Sequence, residues 1–94
     1  MRIARRDKLD EFAGAHVDAR SWIENWIADT ETAQWLTPQS IKDSYSSASF
    51  LADRVVIFNV KGNHYRLKVQ VAYNTGLVVA RWIGTHAEYT KRSN

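Results

Sequence analysis

His64, Arg66 and Lys68 recur at every second position of the segment 64–73. In a β-strand that spacing puts all three on one face, each about 6.6–6.8 Å from the next, the scale of a phosphate backbone. A solvated sheet face normally mixes charges of both signs, and this row holds no acid. Taken alone, the row also fits a plain solvated face. A second group follows near the end of the chain, in Thr85-His86-Ala87-Glu88-Tyr89-Thr90-Lys91-Arg92. Thr85 and Glu88 have the spacing of a capping box, which starts a short helix. His86 and Tyr89 then fall three apart, on one face of its first turns. Imidazole is the side chain that exchanges its proton near neutrality, so His86 is either a reactive group or a plain surface histidine.

Other chemistries are excluded or unsupported. The chain has no cysteine, which removes disulfides, thiol catalysis and cysteine-ligated zinc. His16, His64 and His86 lack metal-ligand spacing, and no H-E-x-x-H occurs. His86-Ala87-Glu88 matches the H-x-E of zinc deaminases, but the P-C-x-x-C that chemistry needs is missing. No glycine pattern of a phosphate-binding loop or dinucleotide fold is present. No metal or cofactor is therefore expected.

The elements that must carry these residues read as helices first and strands second. Met1–Ala4 fits a short strand. Leu9, Phe12 and Ala13 give residues 7–14 one apolar helical stripe, with Gly14 as a stop. A second helix opens at Asp18 or Ser21, where Ser21-Trp22-Ile23-Glu24 reads as another capping box. Its Trp22, Ile23, Trp26 and Ile27 form a core stripe rather than a base-stacking platform. Thr37-Pro38 starts a third helix, and residues 44–49 read as a loop. Three strands follow, over 54–60, 64–73 and 77–84. The turns are Lys61-Gly62-Asn63, with Gly62 or Asn63 at positive φ, and Asn74-Thr75-Gly76. Tyr65, Leu67, Val69, Val71 and Tyr73 face a core. The third strand is apolar on both faces except at Arg81. The expected class is α+β, with N-terminal helices packed on a small antiparallel β-sheet.

At 94 residues, with 45 % hydrophobic and 24 % charged residues, one globular domain over 1–94 is expected. No apolar run reaches membrane-spanning length, and the basic N-terminus leads into charged residues rather than an apolar leader, so a cytoplasmic protein is expected. Residues 1–52 carry six Lys/Arg and eight Asp/Glu, a charge of −2; residues 53–94 carry seven and two, a charge of +5. That basic half fits a surface for an anionic partner, nucleic acid above all, or one that merely aids solubility.

Asn59-Val60-Lys61-Gly62-Asn63-His64-Tyr65-Arg66-Leu67 and Ile83-Gly84-Thr85-His86-Ala87-Glu88-Tyr89 together resemble the HigB toxin family. These are RelE-like mRNA interferases of type II toxin–antitoxin systems. The resemblance covers about the last 40 residues. It departs at Thr90, where the family usually has an acid. It implies a RelE-like fold and an endoribonuclease that cuts mRNA, usually on the translating ribosome. It also implies a helix-turn-helix antitoxin as partner, with operator DNA bound only through the toxin–antitoxin complex and no membrane contact.

Metal-free RNA cleavage needs a base for the 2′-OH, an acid for the leaving 5′-oxygen, and cations for the charge that builds on phosphorus. On the resemblance, Arg66 is the phosphate clamp, since a planar guanidinium engages two oxygens at once. His86 is the acid or base, and Tyr89 donates a hydrogen bond, shuttles a proton or stacks on a base. Arg54, Lys61, His64, Lys68, Arg81, Lys91 and Arg92 are the candidates for further RNA contacts. Asn59 and Asn63 are expected to fix the hairpin turn. Two other readings stand beside this one: an RNA-binding module without catalysis, using the basic sheet face, and an adaptor for an acidic protein.

Overall fold

A computed structural model describes residues 1–92, except the side chain of Arg92. The order is β1 (Arg2–Ala4), α1 (Arg6–Ala15), α2 (Val17–Thr32), α3 (Pro38–Ser44) and β2 (Ser49–Phe50). A 3₁₀ turn (Ala52–Arg54), β3 (Val55–Val60), β4 (Tyr65–Ala72), β5 (Leu77–Thr85) and α4 (His86–Arg92) follow. The α+β class is as the sequence predicts.

The sheet runs β1-β5-β4-β3-β2. It is mixed rather than purely antiparallel: β3, β4 and β5 form the expected meander, but β1 joins β5 in parallel, with Arg2 opposite Leu77 and Ala4 opposite Val79. That pairing joins the two ends of the chain, so no local pattern announces it. β2 begins at the last residue of the stretch read as loop, and its Ser49 and Phe50 pair with β3.

The pleat of β4 sorts its side chains as its alternation predicts. Tyr65, Leu67, Val69 and Val71 are buried, whereas Arg66, Lys68, Gln70 and Ala72 remain partly exposed on the other side. Val56, Phe58 and Val60 of β3 and Val78 and Ala80 of β5 join the buried side. Leu9 and Ala13 of α1, Ile23, Trp26 and Ile27 of α2 and Ile41 of α3 close over it. The Trp22–Ile27 stripe is thus core packing, with Trp26 edge-on to Phe58 at 5.5 Å.

Two helix starts differ from the expected ones. α2 begins at Val17, and Ser21 and Glu24 lie inside it, so no capping box forms there. His16 alone separates α1 from α2. Its ring stacks on Phe12 at 3.9 Å, and its backbone N–H donates to Phe12 O, so the second helix starts without a side-chain cap. For the same reason Gly14 does not stop α1, which runs on to Ala15. α3 starts as its sequence predicts, with the Ser40 N–H donating to the Thr37 hydroxyl and Pro38 in the first helical position.

Candidate functional site

The site candidates gather where β4 begins, β5 ends and α4 leaves the sheet. Lys61 and Gly62 both take positive φ in the β3–β4 turn, and Asn63 does not. That turn sets Val60 opposite Tyr65 and Asn59 opposite Arg66. Asn59 therefore sits in β3 on the open side of the sheet, not in the turn. On the other side of β4, Arg66 faces Gly84 and Tyr65 faces Thr85. Arg66 thus has Asn59 and Gly84 as its direct neighbours across the strands. Its Nη1 donates to Tyr65 O at 3.2 Å and to Asn63 O at 3.5 Å. No ion pair among the described residues holds Arg66.

α4 starts as the capping box predicts. The Glu88 N–H donates to the Thr85 hydroxyl at 3.1 Å, and the Thr85 N–H donates back to Glu88 Oε1 at 2.8 Å. Hydrogen bonds from Thr85, first its backbone N–H and then its side chain, hold the Glu88 carboxyl below its ordinary pKa. The His86 N–H donates to His64 O at 3.0 Å, which ties the helix start to the β3–β4 turn. The Thr90 hydroxyl donates to His86 O at 3.0 Å and lies 3.3 Å from His86 Nδ1. Thr90 Oγ and His86 Nδ1 are thus within hydrogen-bond reach, and the imidazole tautomer decides which of them donates. His86 is exposed, whereas Tyr89 is half-buried with its ring 6.1 Å from that of Trp82.

The remaining cations divide. Lys68 lies on the open side of mid-β4, opposite Ile57 and Trp82. Arg81 reaches the same side and donates from Nη2 to Gln70 Oε1 at 2.6 Å, while Gln70 Nε2 donates to Asp53 O at 2.9 Å. Arg54 ends the 3₁₀ turn at the far end of β3 from Asn59. His64 is exposed in the turn, where its carbonyl anchors α4. Lys91 lies on α4 close enough to Glu88 to help lower its pKa. Lys61 leans the other way: its Nζ is 3.9 Å from Asp18 Oδ2 on α2. The backbone of Arg92 ends α4, and its side chain lies outside the described residues.

The same Asp18 accepts the Tyr65 hydroxyl at 2.8 Å on both carboxylate oxygens. That bond is the first cause of the lowered Asp18 pKa, with Lys61 adding to it against desolvation, and it raises the Tyr65 pKa. Tyr65 is the strand neighbour of Arg66, so this bond fixes the start of β4 from the helical side.

Sequence reasoning missed Trp82. Between Val69↔Ala80 and Lys68↔Trp82 the β4–β5 register gains one residue on β5. This β-bulge turns Arg81 and Trp82 toward the same side of the sheet. A broken alternation in Leu77–Thr85 was the available signal, and it reads equally well as a strand apolar on both faces.

No three His, Asp or Glu side chains among the described residues gather to hold a metal ion. By residue type, the arrangement offers a guanidinium with no ion pair among the described residues for a phosphate, an imidazole nitrogen for a proton, and a phenol for hydrogen bonding. The hollow of about 380 Å³ between α1 and α2 is lined by none of Arg66, His86 and Tyr89. An exposed sheet face suits an extended polymer better than a small molecule, which needs enclosure.

Residues 19–92 match a family model, HigB_toxin, described as the RelE-like toxic component of a toxin-antitoxin system. No curated protein matches the chain. The matched span contains both motifs, 59–67 and 83–89, and every candidate residue named above.

Proposed function

This chain belongs to the HigB family of RelE-like toxins, the toxic component of a toxin–antitoxin system, and on that premise we propose that it is a metal-independent mRNA endoribonuclease acting at the ribosome. A toxin component of such a system has an antitoxin as its partner. The antitoxin in this reading carries a helix-turn-helix domain and brings the pair to operator DNA, and both proteins are cytoplasmic. No helix among the described residues is long and apolar enough to cross a membrane.

The observation that carries the reading is that the backbone sets Arg66, which has no ion pair among the described residues, across from Gly84 and ties the start of the His86–Tyr89 turn to His64, two residues before Arg66. Arg66 holds the non-bridging oxygens of the scissile phosphate. His86 Nε2 takes the proton of the 2′-OH, and that oxygen attacks phosphorus. The 5′-oxygen leaves and takes a proton from Tyr89 or from a water the phenol orients. The products are a 2′,3′-cyclic phosphate and a 5′-hydroxyl. Donors aimed at the developing charge contribute ~10²–10³ in rate each, and general acid–base catalysis ~10²–10⁴. Lys68 and Arg81 extend the positive face along the strand, where they contact flanking phosphates.

The test is cleavage of mRNA on programmed ribosomes, with the ends of the fragments identified. The expected result is a cyclic phosphate, and loss of cutting when a single 2′-deoxynucleotide replaces the cleaved one. A fragment with a 5′-phosphate would contradict the mechanism. RNA bound but left uncut would favour the non-catalytic binding module.

A further inference from the structure

We propose that Trp82 and Tyr89 form a stacking shelf for an unpaired nucleobase next to the phosphate held by Arg66, with a preference for purines. The inference rests on the ribonuclease reading and adds the subsite that recognises the RNA. Three independent features place the shelf. The bulge at Arg81 is the first, since without it the alternation of β5 would turn Trp82 toward the core. The second is Gly84. A Cβ there would fall 2.6 Å from Trp82 Cη2 and 2.9 Å from Glu88 Oε1. The indole therefore lies over a strand position whose side chain is absent, and runs along β5 toward α4. The third is Tyr89, whose ring meets the indole at 6.1 Å and 42°, so that the two planes form a shallow V.

The shelf is next to the clamp. Gly84, which the indole covers, is the direct neighbour of Arg66 across the sheet. Adjacent strands are about 4.8 Å apart, so a phosphate on Arg66 leaves its own nucleotide beside the indole. Trp82 and Tyr89 are both half-buried, which keeps their rings oriented. Aromatic side chains bind bases through their π-faces, tolerantly of sequence, and the larger purine ring gains more from them. Indole is also the largest π-surface a side chain offers, and Trp82 places it beside the chemistry rather than in the core, where Trp26 and Trp35 lie.

The experiment uses ribosomes programmed with mRNA that carries 2-aminopurine on a 2′-deoxy sugar at the cleaved position. Stacking quenches the fluorescence of this base. Wild-type toxin is expected to quench it. Trp82→Leu is expected to lose the quench and to cut unmodified mRNA about 5- to 100-fold more slowly, with the larger loss at purines. Trp82→Phe is expected to retain most of both. Thermal unfolding followed by circular dichroism shows whether each variant folds; if Trp82→Leu does not, the wild-type quench and the Trp82→Phe result decide. Wild-type binding without quenching, or wild-type rates for folded Trp82→Leu on both base classes, would overturn the shelf. Failure of wild type to cut unmodified mRNA would instead sink the nuclease reading. A Trp82-dependent quench would still support the base subsite in that case.

Discussion

The two sides of β4 are built from one run of eight residues and differ in almost every property. On one side Tyr65, Leu67, Val69 and Val71 are at most 8 % exposed and sealed by α1, α2 and α3. On the other, Arg66, Lys68, Gln70 and Ala72 stay partly open, and no acid stands beside them on β4. The comparison teaches that the hidden side sets the register and the open side inherits it. A slip of one residue would send every cation into the core and every valine to water. The placement of Arg66 opposite Gly84 is therefore maintained by packing on the far side of the sheet. The two sides should accordingly fail in different ways when altered.

The largest expected effect is on the open side and leaves the fold alone. His86→Gln should lower single-turnover cleavage ~10²–10⁴-fold. The exposed imidazole contributes little to stability, so the unfolding midpoint should hold. If His86→Gln cuts normally while Tyr89→Phe is dead, the proton work belongs to Tyr89 and His86 is only a residue of the helix start.

On the hidden side, Leu67→Ala removes a side chain that is 1 % exposed and should cost ~2–5 kcal/mol in urea unfolding. Activity should fall only as far as the folded fraction falls. A loss of cleavage in a fully folded Leu67→Ala would break the division between the two sides.

A gain is expected deeper in the same core. Thr30 is fully buried, and its hydroxyl has no hydrogen-bond partner among the described residues. Thr30→Val keeps the shape and removes the desolvated group, so stability should rise by about 1 kcal/mol, with cleavage unchanged. An unfolding midpoint equal to or below wild type would show that the hydroxyl is satisfied.

The smallest effect is on pH. Thr85 holds the Glu88 carboxyl below its ordinary value, so its contribution to the start of α4 is present above the unfolded-state pKa of about 4.3 and is lost as pH falls through the lower folded value. Amide exchange at Thr85 and Glu88 should therefore quicken in acid relative to the core strands, after correction for intrinsic rates. Glu88→Gln should weaken that acid response. Unchanged relative protection down to pH 3 would remove the carboxylate from the cap.

What could be read directly from the residues follows the same division. The alternation of β4, the Leu9–Ala13 and Trp22–Ile27 stripes and the Thr85–Glu88 cap are local patterns, and each appears where the sequence predicts it. The features that escaped are long-range. The parallel β1–β5 pair joins residues some 75 apart. The Phe12–His16 stack moves the start of α2 to Val17. Asp18 draws Lys61 off the cationic face, and the bulge puts Trp82 on it. Spacing thus marked the His64–Arg66–Lys68 row and the His86–Tyr89 pair, and the family resemblance singled out Arg66, His86 and Tyr89 as candidates. Which cations share their face depends on contacts that no window of ten residues contains.

Arg66→Ala puts the central claim to the most direct test, because it changes the open side at the residue that faces Gly84 and leaves the hidden side intact. Stability and cleavage should be measured on the same preparation. The predicted result is an unfolding free energy within about 0.5 kcal/mol of wild type, with cleavage on programmed ribosomes down ~10²–10³-fold and growth inhibition lost. Wild-type cleavage and full toxicity from folded Arg66→Ala would contradict the assignment of this sheet face as the catalytic site.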